Sequence, residues 1–297
     1  VGLINSDMVE NLDFFSNGFS SKYGNKLSSF GDITYRSGNR DNVQGEGFIG
    51  VGGLGFLMEG PIGNRSTYIA SYRMSYLDLI ADAINASGGM PTYGDFQAKI
   101  EFRPDIYNTF SLLIVNGGSE YDRDSEGAIE VGETEYGKLK NNQNTIGVNY
   151  KHIWNNRAYT NTSISNSKKE SDAHFLNINS GETIFNIVEN TNVKNLRQVN
   201  HLKLGPASKM EFGFDAEIND TDYNYYRKLP ESSVFVNEIQ FDRLITTKNY
   251  SAFITLKKNL FSKMIFSAGV RLDQNDYEKV NLLSPRMNLD YELVRGK

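Results

Sequence analysis

The sequence predicts an all-β chain, an antiparallel β-barrel that crosses a membrane, with about twelve strands from Gln44 onwards. Three observations predict it. Apolar and polar residues alternate with a period of two, the alternating segments run for about ten residues, and short turns take turns with long polar stretches.

The alternation is clearest in four places. Phe96, Ala98, Ile100 and Phe102 interleave with Gln97, Lys99, Glu101 and Arg103. Met210, Phe212, Phe214, Ala216 and Ile218 stand against Lys209, Glu211, Gly213, Asp215 and Glu217. Met264, Phe266, Ala268, Val270 and Leu272 alternate with Lys263, Ser267, Gly269, Arg271 and Asp273, and Met287, Leu289, Tyr291 and Leu293 with Arg286, Asn288, Asp290 and Glu292. Successive side chains of a strand point to opposite faces, so each segment has one apolar and one polar face. Ile146, Val148, Tyr150 and Trp154 form another such segment, with Tyr and Trp at the end where an aromatic girdle would sit.

Short turns are expected at Pro61–Arg65, Pro104–Tyr107, Asn155–Asn156, Gly205–Ser208, Lys258–Phe261 and near Arg295–Gly296. Long loops are expected at 75–94, 117–142, 168–194, 219–247 and 273–283, with a helical insertion at Tyr76–Ala86. The first hairpin, through Gly52 and Gly53, breaks the rhythm with a tight turn where a long loop is due. A soluble sandwich or propeller also has many alternating strands, but its strands are shorter and its connections less regular.

Composition narrows the function classes. The 297 residues are 39% hydrophobic, too apolar for a disordered chain, and the net charge of −5 leaves no basic footprint for nucleic acid. Seventeen Tyr and 18 Phe with only 6 Pro suit many long strands. The absence of cysteine removes disulfides, thiolate metal sites and Cys nucleophiles. No apolar run reaches the roughly 18 residues of a spanning helix. No Gly-x-Ser-x-Gly elbow marks a nucleophile, so no enzyme is expected.

The first forty residues follow another pattern. Asn5-Ser6-Asp7-Met8-Val9-Glu10-Asn11-Leu12-Asp13-Phe14-Phe15 leads through Gly18-Phe19 to Lys22-Tyr23-Gly24-Asn25-Lys26-Leu27-Ser28-Ser29, then Gly31-Asp32-Ile33-Thr34-Tyr35-Arg36-Ser37-Gly38-Asn39. This resembles the C-terminal part of the plug domain of TonB-dependent receptors. Glu59-Gly60-Pro61-Ile62 and Ser71-Tyr72-Arg73-Met74-Ser75-Tyr76-Leu77-Asp78 resemble the opening barrel hairpins of the same family. The resemblance implies a plug tail over 1–40 and the N-terminal part of a barrel of about 22 strands over 41–297. It implies a fragment or one part of a split assembly, since signal peptide, most of the plug and the closing strands are missing. It further implies a Gram-negative outer membrane, import of a scarce nutrient (siderophore, cobalamin, glycan or peptide) driven by the TonB complex, and no chemistry on the substrate. The alternative is a non-transporting barrel of the same ancestry, a surface receptor or partner of a surface lipoprotein or other assembly subunits.

Three groups of candidate site residues stand out. Arg36, Glu46, Glu59 and Arg73 are placed to join plug to wall by ion pairs, unless they are the ordinary inward polarity of a barrel. Tyr223, Tyr225, Tyr226 and Arg227 crowd one long loop, where aromatic rings beside an Arg suit a ligand at the extracellular mouth, unless they are an interfacial girdle or strand residues extending above the membrane. Asp122, Asp124, Glu126 and Glu133, with Gly127 and Ile129, follow the spacing of a calcium loop. Calcium is the one cofactor this pattern allows for, although a plain acidic loop has the same composition. The cluster Asp273, Asn275, Asp276 and Glu278 is a shorter version of it. His152, His174 and His201 lack metal-type spacing, and His152 shares a face with Tyr150 and Trp154, as an interfacial residue would.

Overall fold

The computed structural model describes residues 4–16, 20–24, 29–50, 53–76, 89, 91–229, 237–261 and 264–291. Among the described residues, fourteen strands form two sheets. The small one pairs β1 (Val9–Phe15) with β2 (Phe30–Tyr35), antiparallel, just after a 3-10 turn at Ser6–Met8. The large one is an unbroken antiparallel meander in which every strand pairs with its neighbours in sequence. It runs β3 (Gln44–Gly50), β4 (Gly53–Ile62), β5 (Ser66–Met74), β6 (Thr92–Phe102), β7 (Asn108–Arg123), β8 (Glu135–Asn155) and β9 (Ala158–Asn177). It continues with β10 (Thr183–Gly205), β11 (Ser208–Lys228), β12 (Glu238–Phe261), β13 (Met264–Asn275) and β14 (Val280–Tyr291).

The register carries one apolar row after another around the outer face. Phe56, Tyr72 and Phe96 are cross-strand neighbours, as are Leu112, Val148 and Ile164, then Leu196 and Ala216, then Phe212, Ile254 and Val270. These side chains have nothing packed over them: Val148 is 48% exposed and Ile164 61%. A continuous exposed apolar surface of this extent is what a lipid-facing wall presents and what a soluble sheet avoids. At the short-turn end the row closes in aromatic rings. Phe110 stacks on Tyr150 at 4.6 Å, and His152 meets Trp154 edge-on at 4.4 Å while its Nδ1 lies 2.8 Å from Asn108 Oδ1. His152 therefore belongs to this outward girdle, as its alternation predicts.

Four of the expected short turns lie where the sequence places them and a fifth is shifted, while the one near Arg295–Gly296 lies outside the described residues. Asp105 closes the connection to β7 by accepting from the backbone N–H of Tyr107 (2.7 Å) and Asn108 (2.8 Å). Gly63 takes a positive φ of 63° beside Asn64 and Arg65. The turn expected at Lys258–Phe261 is still strand, and β13 begins at Met264.

The predicted long loops need correction. Most of 117–142, 168–194, 219–247 and 273–283 is paired strand. β8 to β12 each run for 20 to 24 residues, against the roughly ten that span a bilayer. Beyond the apolar belt both faces meet water, so the polar–apolar alternation disappears while the ladder continues. The connection at 124–134 holds a short helix at Ser125–Glu130, whereas that at 178–182 is a tight turn in which Asn177 Oδ1 accepts from the N–H of Asn179 and Ser180, and Gly181 takes φ +67°. The helix expected at Tyr76–Ala86, and Gly52 of the first hairpin, lie outside the described residues apart from Tyr76; Gly50 pairs with Gly53 around that turn.

Two substitutions at adjacent positions separate the faces. Val148→Arg, facing outwards at mid-belt, is expected to destabilise the complete barrel in bilayers by about 2–4 kcal/mol. Asn149→Arg, facing the cavity within, is expected to cost under about 1 kcal/mol. Denaturant unfolding of the two variants in vesicles reads the difference, and equal costs would reverse the assignment of faces.

Candidate functional site

The concave face of the large sheet is polar, and the small sheet sits against it, held at two places. Asn5 begins the first. It accepts from Asp7 N, ordering the turn that leads into β1, and its own Nδ2 donates to Ser71 Oγ at 2.5 Å. Met8 packs with Leu57, Ile69 and Tyr35 in a small buried core. The chain leaving β2 then presents cations to carboxylates of the wall.

Arg36 donates twice to Glu59, at 2.6 and 2.9 Å, and also to Asp7 O at 2.7 Å. Glu59, whose side chain is 7% exposed, accepts as well from the Asn39 N–H (2.8 Å) and from Gln44 (3.3 Å). Glu101 accepts from Ser37 Oγ at 2.7 Å and pairs with Arg40 at 3.4 Å and Arg103 at 2.7 Å. Tyr35 donates to Gln97 Oε1 at 2.9 Å, and Lys99 donates to the Tyr35 carbonyl at 2.6 Å. Fork-shaped Arg–carboxylate contacts of this kind fix direction as well as distance.

At the second place the chemistry is reversed, with guanidinium groups on the wall and backbone carbonyls on the inner segment Ser20–Gly24. Arg197 donates to Lys22 O at 2.7 Å, and Arg286 to Ser20 O (2.9 Å) and Tyr23 O (2.6 Å). Arg271, 4% exposed, reaches the Ser21 and Lys22 carbonyls at 3.5 and 3.4 Å. It is itself aimed by Asp215 at 3.2 Å and Asp273 at 2.7 Å, and Asp215 also holds Arg197 at 3.2 Å. Gly24 lies flat on the Arg271 guanidinium, so that a Cβ there would stand 2.5 Å from Nε. Tyr23 donates to Asp32 and packs against Phe15 and Phe30.

Burial first, and the bond to Asp32 next, push the Tyr23 phenol well above its ordinary range; burial also raises Tyr35 and lowers the Lys22 ammonium. Between the two holds, the wall at β7–β9 carries small polar residues such as Ser111, Thr145 and Ser163. A cavity of about 550 Å³ separates them from the inner sheet.

Of the four residues expected to join plug and wall, the structure brings Arg36 and Glu59 together. Arg73 pairs instead with Asp95 of the neighbouring strand at 2.9 Å, and Asp95 in turn accepts from Gln97 at 2.8 Å. Arg73 is linked to the inner sheet through Asp95 and Gln97, which accepts from Tyr35. Glu46 lies on the exposed edge strand β3, opposite Leu57, and no ion pair joins it among the described residues. Glu101, Gln97, Arg197, Arg271 and Arg286 went unrecognised, though each sits at an inward position of its strand.

The calcium-loop residues do not converge. Asp124 caps the helix α1 (Ser125–Glu130) by accepting from Gly127 N at 2.8 Å. Asp122 pairs with Lys138 at 2.5 Å and Glu133 with Arg123 at 3.7 Å, while Glu126 lies in the first turn of α1. A helix occupies the place where a cation loop would curl, and among the described residues no three His, Asp or Glu side chains could hold a metal ion. The second acidic cluster is likewise engaged, Asp273 with Arg271, Asp276 with Lys248 N and Asn275 with Glu278 N.

The aromatic stretch lies on β11, not in a loop. Tyr223 and Tyr225 face inwards and stack on Phe241 at 5.9 and 4.9 Å, and Tyr225 meets Phe185 edge-on at 6.1 Å. Phe175 extends this group. Arg227 shares that face and is exposed, whereas Tyr226 points the other way, to Glu238 at 3.3 Å.

Two expectations test the seating of the inner sheet. Glu59→Gln removes the charge that orders Arg36 and Asn39 and is expected to loosen this hold by about 2 kcal/mol. Faster amide exchange at 36–42 reports it, and unchanged exchange would remove Glu59 from the account. For Tyr23 the folded form resists ionisation, so its stabilising contribution is complete below the ordinary value of about 10 and is lost as pH rises beyond it. The melting temperature is expected to fall more for the wild type than for Tyr23→Phe between about pH 9 and about pH 11.

The sequence matches no protein-family model and no curated protein. Solved structures do match. A mutant of the ferric enterobactin receptor PfeA from Pseudomonas aeruginosa aligns with a TM-score of 0.64 at 13% identity, over 98% of this chain and 48% of that one. The siderophore receptor PirA from Acinetobacter baumannii gives 0.66 at 11% over 99% and 47%, and the unliganded ferric citrate transporter FecA 0.62 at 13% over 96% and 47%. The chain spans about half the length of each of these receptors. The likeness establishes the architecture: a twelve-stranded antiparallel wall with a small inner sheet, the fold of TonB-dependent outer-membrane receptors.

Proposed function

We propose that this chain is the plug tail (1–40) and part of the barrel wall (41–297) of a TonB-dependent transporter in a Gram-negative outer membrane. The observation that carries the proposal is the inner sheet seated on the polar face of a wall whose other face is apolar and bare. A barrel in lipid must turn its polar side chains inwards, and a plugged barrel must then engage them. Both contact zones supply that engagement.

The activity is capture and import, with no bond made or broken in the cargo. The neighbours' names point to ferric chelates, siderophores or ferric citrate, as the cargo class. The inward aromatic group Phe175, Phe185, Tyr223, Tyr225 and Phe241 stands at the far end of the long strands from the short turns. Short turns face the periplasm in barrels of this type, which puts the aromatic group at the extracellular mouth. Stacked rings there offer rigid apolar contact to a bulky chelate. The Arg36–Glu59 and Arg271 contacts are the bonds that plug movement would have to break.

The test expresses the complete protein in a host without other ferric-chelate receptors and measures iron accumulation from ferric citrate and from a catecholate siderophore. Uptake that vanishes when TonB is deleted, with surface binding retained, is the expected result. Uptake indifferent to TonB, or no binding of either chelate, would overturn the reading. Tyr225→Ala with Phe241→Ala is expected to weaken chelate binding about tenfold.

A further inference from the structure

On the inner face, the last row of β10 to β12 before the short turns holds lysines side by side. Lys203 of β10 stands opposite Lys209 of β11, and Lys209 stands opposite Lys257 of β12. Each lies two residues from a group that fixes this face as the inner one. His201 lines the cavity against the inner sheet, Glu211 pairs with His201 at 3.3 Å, and Thr255 Oγ1 lies 3.1 Å from Ser20 Oγ. Arg157 in the adjoining turn extends the row, since its carbonyl accepts from the Lys203 N–H at 2.8 Å.

Like charges directly opposite one another, with Cβ atoms about 5 Å apart, destabilise a sheet. Among the described residues no ion pair joins Arg157, Lys203, Lys209 or Lys257. Glu211 is the one carboxylate on the next inward row, where its Oε1 faces His201 and its field reaches Lys257. Further up the wall, Asp215 and Asp273 are committed to Arg197 and Arg271. Asp290 stands on β14, two strands and therefore about 10 Å from Lys257. One nearby acid thus faces a line of basic side chains. The cavity shares this bias: its lining holds Lys22, Lys99 and Arg197 but a single carboxylate, Asp32. It reaches to His201, which precedes Lys203 on the same face of β10.

We infer that the lysine row is a binding site for a small anion carrying two or more carboxylates, at the periplasmic end of the lumen. Neighbouring ammonium groups at this spacing match the successive carboxylates of a di- or tricarboxylate, and each N–H to a charged oxygen makes a strong hydrogen bond. The repulsion carried by the empty row is relieved when such an anion lies across it. A small molecule suits the place, because the row lies on the concave face beside a cavity of about 550 Å³. The inference rests on the reading above for the side on which the row opens, and deepens it: cargo passing this row carries free carboxylates.

The experiment titrates iron-free citrate, and acetate as the single-carboxylate probe, into the complete protein in detergent and follows the heat of binding. Wild type is expected to bind citrate more tightly than acetate. The variant Lys203→Gln, Lys209→Gln, Lys257→Gln is expected to bind citrate at least about tenfold more weakly, and Lys203→Arg, Lys209→Arg, Lys257→Arg to retain it. Freed of its own repulsion, the Gln variant is expected to melt no lower than wild type, which separates a binding role from a structural one. Equal citrate affinity in wild type and Gln variant, or citrate lost only together with a lower melting temperature, would overturn the inference. So would binding of hexaglutamate without citrate, which would assign the row to an acidic segment of a protein. Uptake indifferent to TonB overturns the import reading instead and leaves this site standing.

Discussion

The structure depends on one constraint: a sheet whose outer face is bare apolar surface must satisfy every polar group on its inner face from within. Backbone groups are settled by the ladder, which runs from β3 to β14 without a break. The inward side chains are not, and many are charged. Glu59, Asp95, Glu101 and Arg271 are almost wholly buried, so each needs a partner whose loss would leave an expensive unpaired group. The small sheet supplies some of those partners, and neighbouring strands supply the rest. Seat and occupant are therefore coupled, and neither polar surface is complete without the other.

The two contact zones meet this need with opposite chemistry, which gives them different tolerances. On the β4–β6 side the inner segment contributes its own side chains, Arg36, Ser37 and Arg40, to carboxylates of the wall. Those residue types are required there. On the β10–β14 side the wall contributes Arg197, Arg271 and Arg286, and the inner segment offers carbonyl oxygens that any residue possesses. Only the shape of the turn is demanded, and at Gly24 a side chain would strike a buried guanidinium. The first zone is thus specified by residue identity and the second by backbone path.

That difference explains what could be read from the sequence. Strand positions in the belt were legible because alternation is a local signal, visible within Phe96–Phe102 or Met210–Ile218 alone. The upper halves of β8 to β12 read as loops in the sequence because a strand wet on both faces, such as Lys138-Leu139-Lys140-Asn141-Asn142-Gln143-Asn144, has no face to alternate. Arg36 and Glu59 were found through a charge on the inner segment and a carboxylate 23 residues later at an inward position. Arg197 was not, because its partner Lys22 is 175 residues away and offers only a carbonyl, which leaves no mark on composition. The acidic run Asp122–Glu133 misled for a related reason: a cap, a helix and two ion pairs use the same residue types as a cation loop, and spacing alone does not separate them.

The misread strands matter for the proposed capture of a ligand. Had 219–247 been a loop, Tyr223 and Tyr225 would have had to be ordered by whatever bound them, at a cost in conformational entropy for each residue fixed. Instead they stand on a ladder in which Tyr223 opposes Arg243 and Tyr225 opposes Phe241, with ring contacts running from Phe175 across to Phe241. Stacked rings on paired strands are already in place before a ligand arrives. In the proposed reading the extended strands would do the work expected of long loops with less to immobilise, and selectivity would rest on the spacing of strands, about 4.8 Å per step, more than on loop folding.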